Sequence, residues 1–337
     1  MTTANDVACF GELLWDFFEQ STPDAGTAKT DKEPIARTFR REIGGASANV
    51  ASILARLGVK VSAIGAVGDD KLGDALRTEL SSYGVDVAGV ARLKNARTGI
   101  TFVTRDAAGE PSFVPYRQGT ADLAMDESHV SAGMAKVRYA IVGSTSMLPS
   151  LKGATTKFLN ALEKAKGALV VDLNVRQHLW ADVDAMRAEV AELAARAAVV
   201  KGSERDLGAL AGKRGMTWLE DHAKGATWVL TRGENGAACV GPHGQVTFPT
   251  KRVRCIDATG AGDAFMAGLV AVVVRSGAKP GSPDWKDPKL WSRAMEVGHM
   301  LGAKAISAVG ATAGIGTLDD LRARIRSAEA PGSDRKK

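Results

Sequence analysis

The chain has 337 residues, 45% of them hydrophobic and 24% charged, with a formal net charge of +6, the balance of an ordinary water-soluble globular protein. No apolar run is long enough to span a bilayer, and the opening residues MTTANDVACFGE lack the basic and apolar regions of a signal peptide. The basic residues are spread among acidic ones except in the tail 334–337, so no nucleic-acid partner is expected, only a modest bias toward anionic small molecules.

In chain order, apolar runs at 7–10, 59–64, 140–142, 169–171, 199–200 and 228–230 predict buried strands. They alternate with helical patterns at 46–57, 72–83, 155–166, 183–198, 217–223 and 263–276. Near-continuous apolar strands between helices imply an α/β fold with a mostly parallel sheet covered on both faces. Right-handed crossovers then gather the functional loops at the carboxyl ends of the strands. Two stretches break the alternation. Residues 17–42 carry the turn-prone STPDAGTAKTDKEP, and 90–118 hold an alternating hairpin pattern around a turn at 107–109. Together they predict a small β lid over the strand ends of one domain spanning 1–330, followed by a polar tail, 331–337. Residues 277–288 read as a surface loop.

Residues 257–265 read DATGAGDAF: an acidic residue, a glycine-rich turn, and a second acidic residue opening an apolar helix. Such a turn leaves the backbone N–H groups of Gly260, Ala261 and Gly262 without helical acceptors, with the positive end of the helix dipole behind them. A carboxylate such as Asp263 would repel an anion bound there. It fits if it takes a proton from an alcohol attacking phosphorus. A plain first-turn capping charge is the other reading of this segment. Gly44 and Gly45 open a second helix, where backbone can approach a ligand closely and Asn49 can donate and accept at once. Asp16, at a strand end, can hold two neighbouring sugar hydroxyls or can be a solvated loop residue.

Other chemistries find little support. Cys9, Cys239 and Cys255 are too scattered for a disulfide framework, which favours a reducing cytoplasm. The five histidines are isolated from one another, and no HExxH or CxxC is present. Residues 208–214 have one residue too few for a P-loop, and no GxGxxG follows the first strand.

Taken together, 44–74 (GGASANVASILARLGVKVSAIGAVGDDKLGD) and 257–265 resemble the two signatures of the ribokinase-like (PfkB) sugar kinase family, and the likeness covers nearly the whole chain. Within the family the chain is most similar to fructokinases and 2-keto-3-deoxygluconate kinases, through FGELLWDF, Tyr116-Arg117, Ala121-Asp122, Gly143-Ser144, 172–176 (DLNVR) and Leu179-Trp180. The resemblance implies a three-layer α/β/α sandwich with a β lid, and transfer of the ATP γ-phosphate to a sugar primary hydroxyl. It makes Asp263 the general base and the amides of Gly260, Ala261 and Gly262 the anion hole. Asp16, Gly44, Gly45, Asn49, Arg117, Asn174 and Arg176 become sugar-site residues, and Ser203, Thr231, Gly233, Gly236, His299 and Ala303 nucleotide-site residues. A monovalent cation, K+, would be held by Asp257 and Thr259 with carbonyls near Ala305, Ala308 and Gly310. Asp206 would reach Mg2+ through water.

Departures from the pattern fall at Ser203 and Asp206, which stand for the magnesium-associated NxxE, at Leu173 for a proline, at His299 for an asparagine, and at Gly314 for a serine cation ligand. Fructose, ketodeoxygluconate, ribose and nucleosides stay open as acceptors, and a homodimer through the lid is compatible with the family. The reading from another class is a catalytically weak sugar or nucleotide sensor; retention of Asp263 and its turn argues against it.

Overall fold

All four residues of β1 (Val7–Phe10) are buried, and their side chains divide by parity. Val7 and Cys9 enter one apolar cluster, Ala8 and Phe10 another. That is how a strand covered on both faces behaves. The structure, a computed structural model, describes residues 5–20, 38–105, 111–222, 224–249 and 253–316. The turn expected at 107–109, most of the insertion 17–42 and the tail 331–337 lie outside the described residues.

The large sheet adds β4 (Val61–Gly68), β5 (Asp86–Leu93), β8 (Tyr139–Gly143), β9 (Ala168–Asp172), β10 (Val199–Ser203), β11 (Thr227–Thr231), β12 (Ala237–Gly241) and β13 (Gly244–Phe248). Its order is β13-β12-β11-β10-β9-β8-β1-β4-β5, parallel except for the last hairpin at the β13 edge. One face is covered by α1 (Ala46–Arg56), α2 (Lys71–Ser82), α7 (Ala261–Ser276) and α8 (Pro288–Ala305). The other is covered by α3 (Lys152–Lys164), α4 (Val183–Ala195), α5 (Glu204–Ala211) and α6 (Gly215–His222). This is the three-layer α/β/α arrangement expected. Residues 264–274 of α7 are buried on every side, because the helix is sandwiched between the sheet, α1 and α8. Among the described residues no helix is long and apolar enough to cross a membrane.

A second sheet, order β3-β2-β6-β7, comprises β2 (Leu14–Glu19), β3 (Phe39–Gly44), β6 (Gly99–Arg105) and β7 (Pro111–Tyr116). The hairpin read from 100–114 is the antiparallel β6–β7 pair, in register Ile100↔Tyr116 through Arg105↔Pro111. Strands from both insertions therefore meet in one small sheet. Residues 90–93 do not join it: they belong to β5 and pair with β4 at the edge of the large sheet. An alternating edge strand has the same period in either sheet, so periodicity cannot assign it. Strand 59–64 shifts to β4, and the helix expected over 183–198 stops at Ala195.

Candidate active site

Two helix starts and three strand ends converge beside the small sheet. The helix α7 begins at Gly260, in the left-handed region at φ +75°, with no side-chain cap. The amides of Gly260 and Gly262 have no acceptor among the described residues, while Ala261 N–H makes a long 3.3 Å bond to the Ala258 carbonyl. Two of the three expected anion-hole donors are thus fully open and the third is weakly held. Asp263 follows in the first turn.

Asn49, in the first turn or so of α1, donates from Nδ2 to Asp263 Oδ2 at 2.8 Å. Its own Oδ1 is buried and has no hydrogen-bond partner. An orphaned buried acceptor is costly unless a ligand donor completes it. Burial raises the Asp263 pKa, and the Asn49 bond together with the charges of Lys201 and Arg176 opposes that rise.

The Gly44-Gly45 pair has a steric reason. A methyl on Gly44 would stand 2.5 Å from Asp16 Cγ, and one on Gly45 would stand 2.5 Å from the Glu12 carbonyl oxygen. Asp16 is 7% exposed. Its carboxyl is pushed up to about 8, by burial first, then by the neighbouring Glu12 and Asp263 charges, against the pull of Arg117 and Arg176. Glu12 behaves oppositely. Burial raises it, but Arg117, Arg176 and the Ala46 N–H outweigh burial and hold it below its ordinary value.

Arg117 was expected to reach a substrate group. Its Nε and Nη2 instead donate to Asp122 at 2.9 and 2.6 Å, and Nη2 also donates to Glu12 at 2.7 Å. It organises the pocket's acids rather than offering an open fork. Arg176 is exposed, with Nη1 turned toward the carbonyls of Asn174 and Val175. Asn174 sits on the same loop at φ +32°.

This geometry, a carboxylate beside a helix start with open amides, goes with clear likenesses. The profile described as pfkB family carbohydrate kinase matches residues 4–318. The chain belongs to that family. It is 31% identical to Fructokinase-1 of Oryza sativa subsp. japonica over 96% of this chain and 98% of the rice protein. It is also 31% identical to Probable fructokinase-7 of Arabidopsis thaliana, over 95% and 93% of the two chains. The solved fructokinase from Xylella fastidiosa with bound ATP superposes with a TM-score of 0.83, at 26% identity, covering 96% of this chain and 99% of that one. Aminoimidazole riboside kinase from Salmonella enterica, complexed with aminoimidazole riboside and an ATP analog, gives 0.80 at 25% identity, covering 95% and 100%. The protein is an ATP-dependent sugar kinase of the PfkB family.

Most of the expected nucleotide residues lie at the end of β11, on the turn after it and on α8. Thr231 ends β11 and donates to the Gly202 carbonyl at 3.3 Å; Gly233 and Gly236 bracket the following turn. His299 stacks on Phe248 and meets Phe265 edge-on, with Ala303 one turn further along α8. Asp257, 4% exposed, accepts from Thr259 N–H at 2.9 Å, Thr259 Oγ1 at 2.7 Å and Gly310 N–H at 3.0 Å. The Ile306 carbonyl accepts from Ile256 and Asp257, so Ala305 and Ala308 flank the same contact. The residues expected around a cation are thereby brought together.

Ser203 and Asp206 are not open to a metal. They form a capping box: Asp206 Oδ2 accepts from Ser203 N–H at 2.8 Å and Oγ at 2.6 Å, and Oδ1 accepts from Val175 N–H at 2.8 Å. This carboxylate is committed to closing α5 and the 172–176 loop, which argues against its magnesium role. The sequence reading missed Lys201, on β10. Its Nζ is 3.0 Å from both carboxylate oxygens of Asp172, and both residues are buried. A lysine in the apolar run VVKGS was the available signal.

Proposed function

We propose that the protein is a fructokinase, phosphorylating the primary hydroxyl of a neutral ketohexose with ATP. The observation that carries the reading is the Asn49–Asp263 pair, with Asp263 held by one oxygen and Asn49 Oδ1 buried without a partner. A sugar hydroxyl entering this space would donate to one of these two acceptors. Asp263 then removes its proton as the oxygen attacks the γ-phosphorus, and ADP departs. The open amides at Gly260 and Gly262, with Ala261, face the charge on the transferred group. Asp16, Gly44 and Gly45 would hold the remaining hydroxyls, with Asn174 and Arg176 at the mouth.

Charge supports a neutral acceptor over an acidic sugar. Glu12, Asp122 and Asp263 stand around the pocket against Arg117 and Arg176, Arg117 is already neutralised by two carboxylates, and Asp16, pushed up to about 8, adds no charge at neutral pH. A sugar acid would enter a surplus of negative charge. The relatives named as fructokinases agree with this choice.

Asp257, Thr259 and the carbonyls near Ala305, Ala308 and Gly310 would hold K+, whose hard oxygen donors suit it; the bound ion would supply fixed positive charge near the anion hole. The Ser203–Asp206 pair does not fit magnesium, so Mg2+ is carried by the ATP phosphates in this reading. Three free thiols are consistent with a cytoplasmic setting. Phe113 and Tyr116, 51% and 60% exposed on β7, are the apolar surface through which a second copy would pair.

The test is initial-rate phosphorylation across fructose, ketodeoxygluconate, ribose and nucleosides with ATP. Fructose should give the highest kcat/KM. A preference for ketodeoxygluconate would overturn the charge argument, and binding without turnover of any acceptor would favour a sensor.

A further inference from the structure

The parallel register of β9 and β10 sets Lys201 beside Asp172, so their side chains leave the sheet together on one face. The resulting ion pair is deep, with the two side chains 6% and 5% exposed. An ammonium has three N–H groups, and Asp172 takes two through Oδ1 and Oδ2. The third has no acceptor among the described residues. It lies at the first turn of α7: a methyl on Gly262 would stand 2.9 Å from Lys201 Nζ, its one close neighbour. Gly262 is therefore the residue that lets the ammonium approach the anion hole. A purely structural buried ion pair at this place would gain little, since desolvation consumes most of the attraction and an apolar pair of equal volume is often as stable.

We propose that Lys201 is a catalytic residue whose third N–H contacts the transferred phosphoryl group, with Asp172 as the positioning residue that aims it. Lys201 transfers no proton. The sugar hydroxyl proton goes to Asp263, the sugar oxygen–phosphorus bond forms, and the bond from phosphorus to the ADP oxygen breaks. The ammonium stands across from the charge that develops on the equatorial oxygens. Its positive state is secure: burial opposes it, but the Asp172 and Asp263 charges more than compensate and raise its pKa. The same charge lowers the proton affinity of Asp263, so Lys201 serves both the base and the acceptor of the reaction.

This inference rests on the phosphoryl-transfer reading of the 257–265 turn. Its test is the double substitution Lys201→Met with Asp172→Asn, which removes both charges and leaves no buried carboxylate without a partner. ATP and ADP affinities are measured by calorimetry, together with kcat and fructose KM and a thermal-unfolding midpoint. The expected result is a folded protein whose preference for ATP over ADP falls by about tenfold or more, the scale of a charge-assisted hydrogen bond. Its kcat should fall by roughly 10²-fold, with fructose KM changed by less than about threefold. An unchanged ATP-to-ADP preference overturns the proposal whatever the turnover. If the double variant does not fold, Lys201→Gln, which still donates to Asp172, is carried through the same affinity comparison. A parent protein that phosphorylates no sugar would defeat the fructokinase reading, while the ATP-to-ADP preference would still judge Lys201.

Discussion

Asp263 is the base in the proposed reaction, and its surroundings set how it titrates. Its raised pKa means that it binds a proton at pH values where an exposed aspartate is ionised. A base must be deprotonated to act, so kcat/KM should fall as pH drops through that raised value. Asp263→Asn should abolish this acidic limb and lower kcat by roughly 10²–10⁴ with ATP affinity little changed; a loss below about threefold would remove Asp263 from the role. Asp16 provides a second test. Its folded pKa, about 8, lies above the ordinary 3.8, so the folded state holds a proton that the unfolded chain has released. Its contribution to stability is fully present below the unfolded value and is lost as pH rises toward about 8. Asp16→Asn should therefore unfold at a higher temperature than the parent, by a margin that grows from about pH 4 to about pH 8. It should also weaken sugar binding and leave ATP affinity unaltered. A margin independent of pH would show that the Asp16 carboxyl is not perturbed. Asp263, Asp16 and Asn49 were legible because motif spacing marks them; the orphaned Asn49 Oδ1 was not, since a partner's absence exists only in three dimensions.

At the scale of elements, apolar runs located most of the strands, while their ends and their sheets needed pairing partners. The pattern of 86–93 is the same whether the strand edges the large sheet or extends the small one. Lys201 and Asp172 lie 29 residues apart, and only the β9–β10 register makes them neighbours. Asp206 shows the reverse case: a carboxylate at metal-motif spacing also completes the capping box of α5. The packing of α3 on the sheet gives an element-level prediction. Phe158 is fully buried and stacks on Phe10 of β1, with ring centroids 4.7 Å apart. Phe158→Ala should cost about 3–5 kcal/mol in urea unfolding, from lost transfer and the cavity left behind. Because the α3 layer is on the opposite face from α1 and α7, fructose KM should stay near the parent value. A cost below about 1 kcal/mol would mean that the site collapses to fill the space.

Across the whole molecule, the small sheet and the large one both contribute to the proposed site. Asp16 and Gly44 come from β2 and β3, and Asn49 and Asp263 from helices on the large sheet. From β3, Arg40 also donates to the Val309 carbonyl at 2.5 Å, joining the small sheet to the stretch beside Gly310. Closure of the small sheet over a bound sugar would exclude water from the transfer. Fructose should accordingly slow amide hydrogen exchange in β2, β3 and β6, whereas ATP should slow it at the end of β11 and along α8. Equal protection of both regions by ATP without sugar would contradict the assignment of the two pockets. The sequence by itself determined the α/β class and the two helix starts, because glycine turns and apolar periodicity are local properties of a chain, while the kinase chemistry came with the resemblance of two separated segments to the PfkB signatures. The tertiary structure decided which carboxylates are free, which arginine is spent, and where the buried lysine stands. Those depend on desolvation and on contacts between distant residues, which no local pattern encodes.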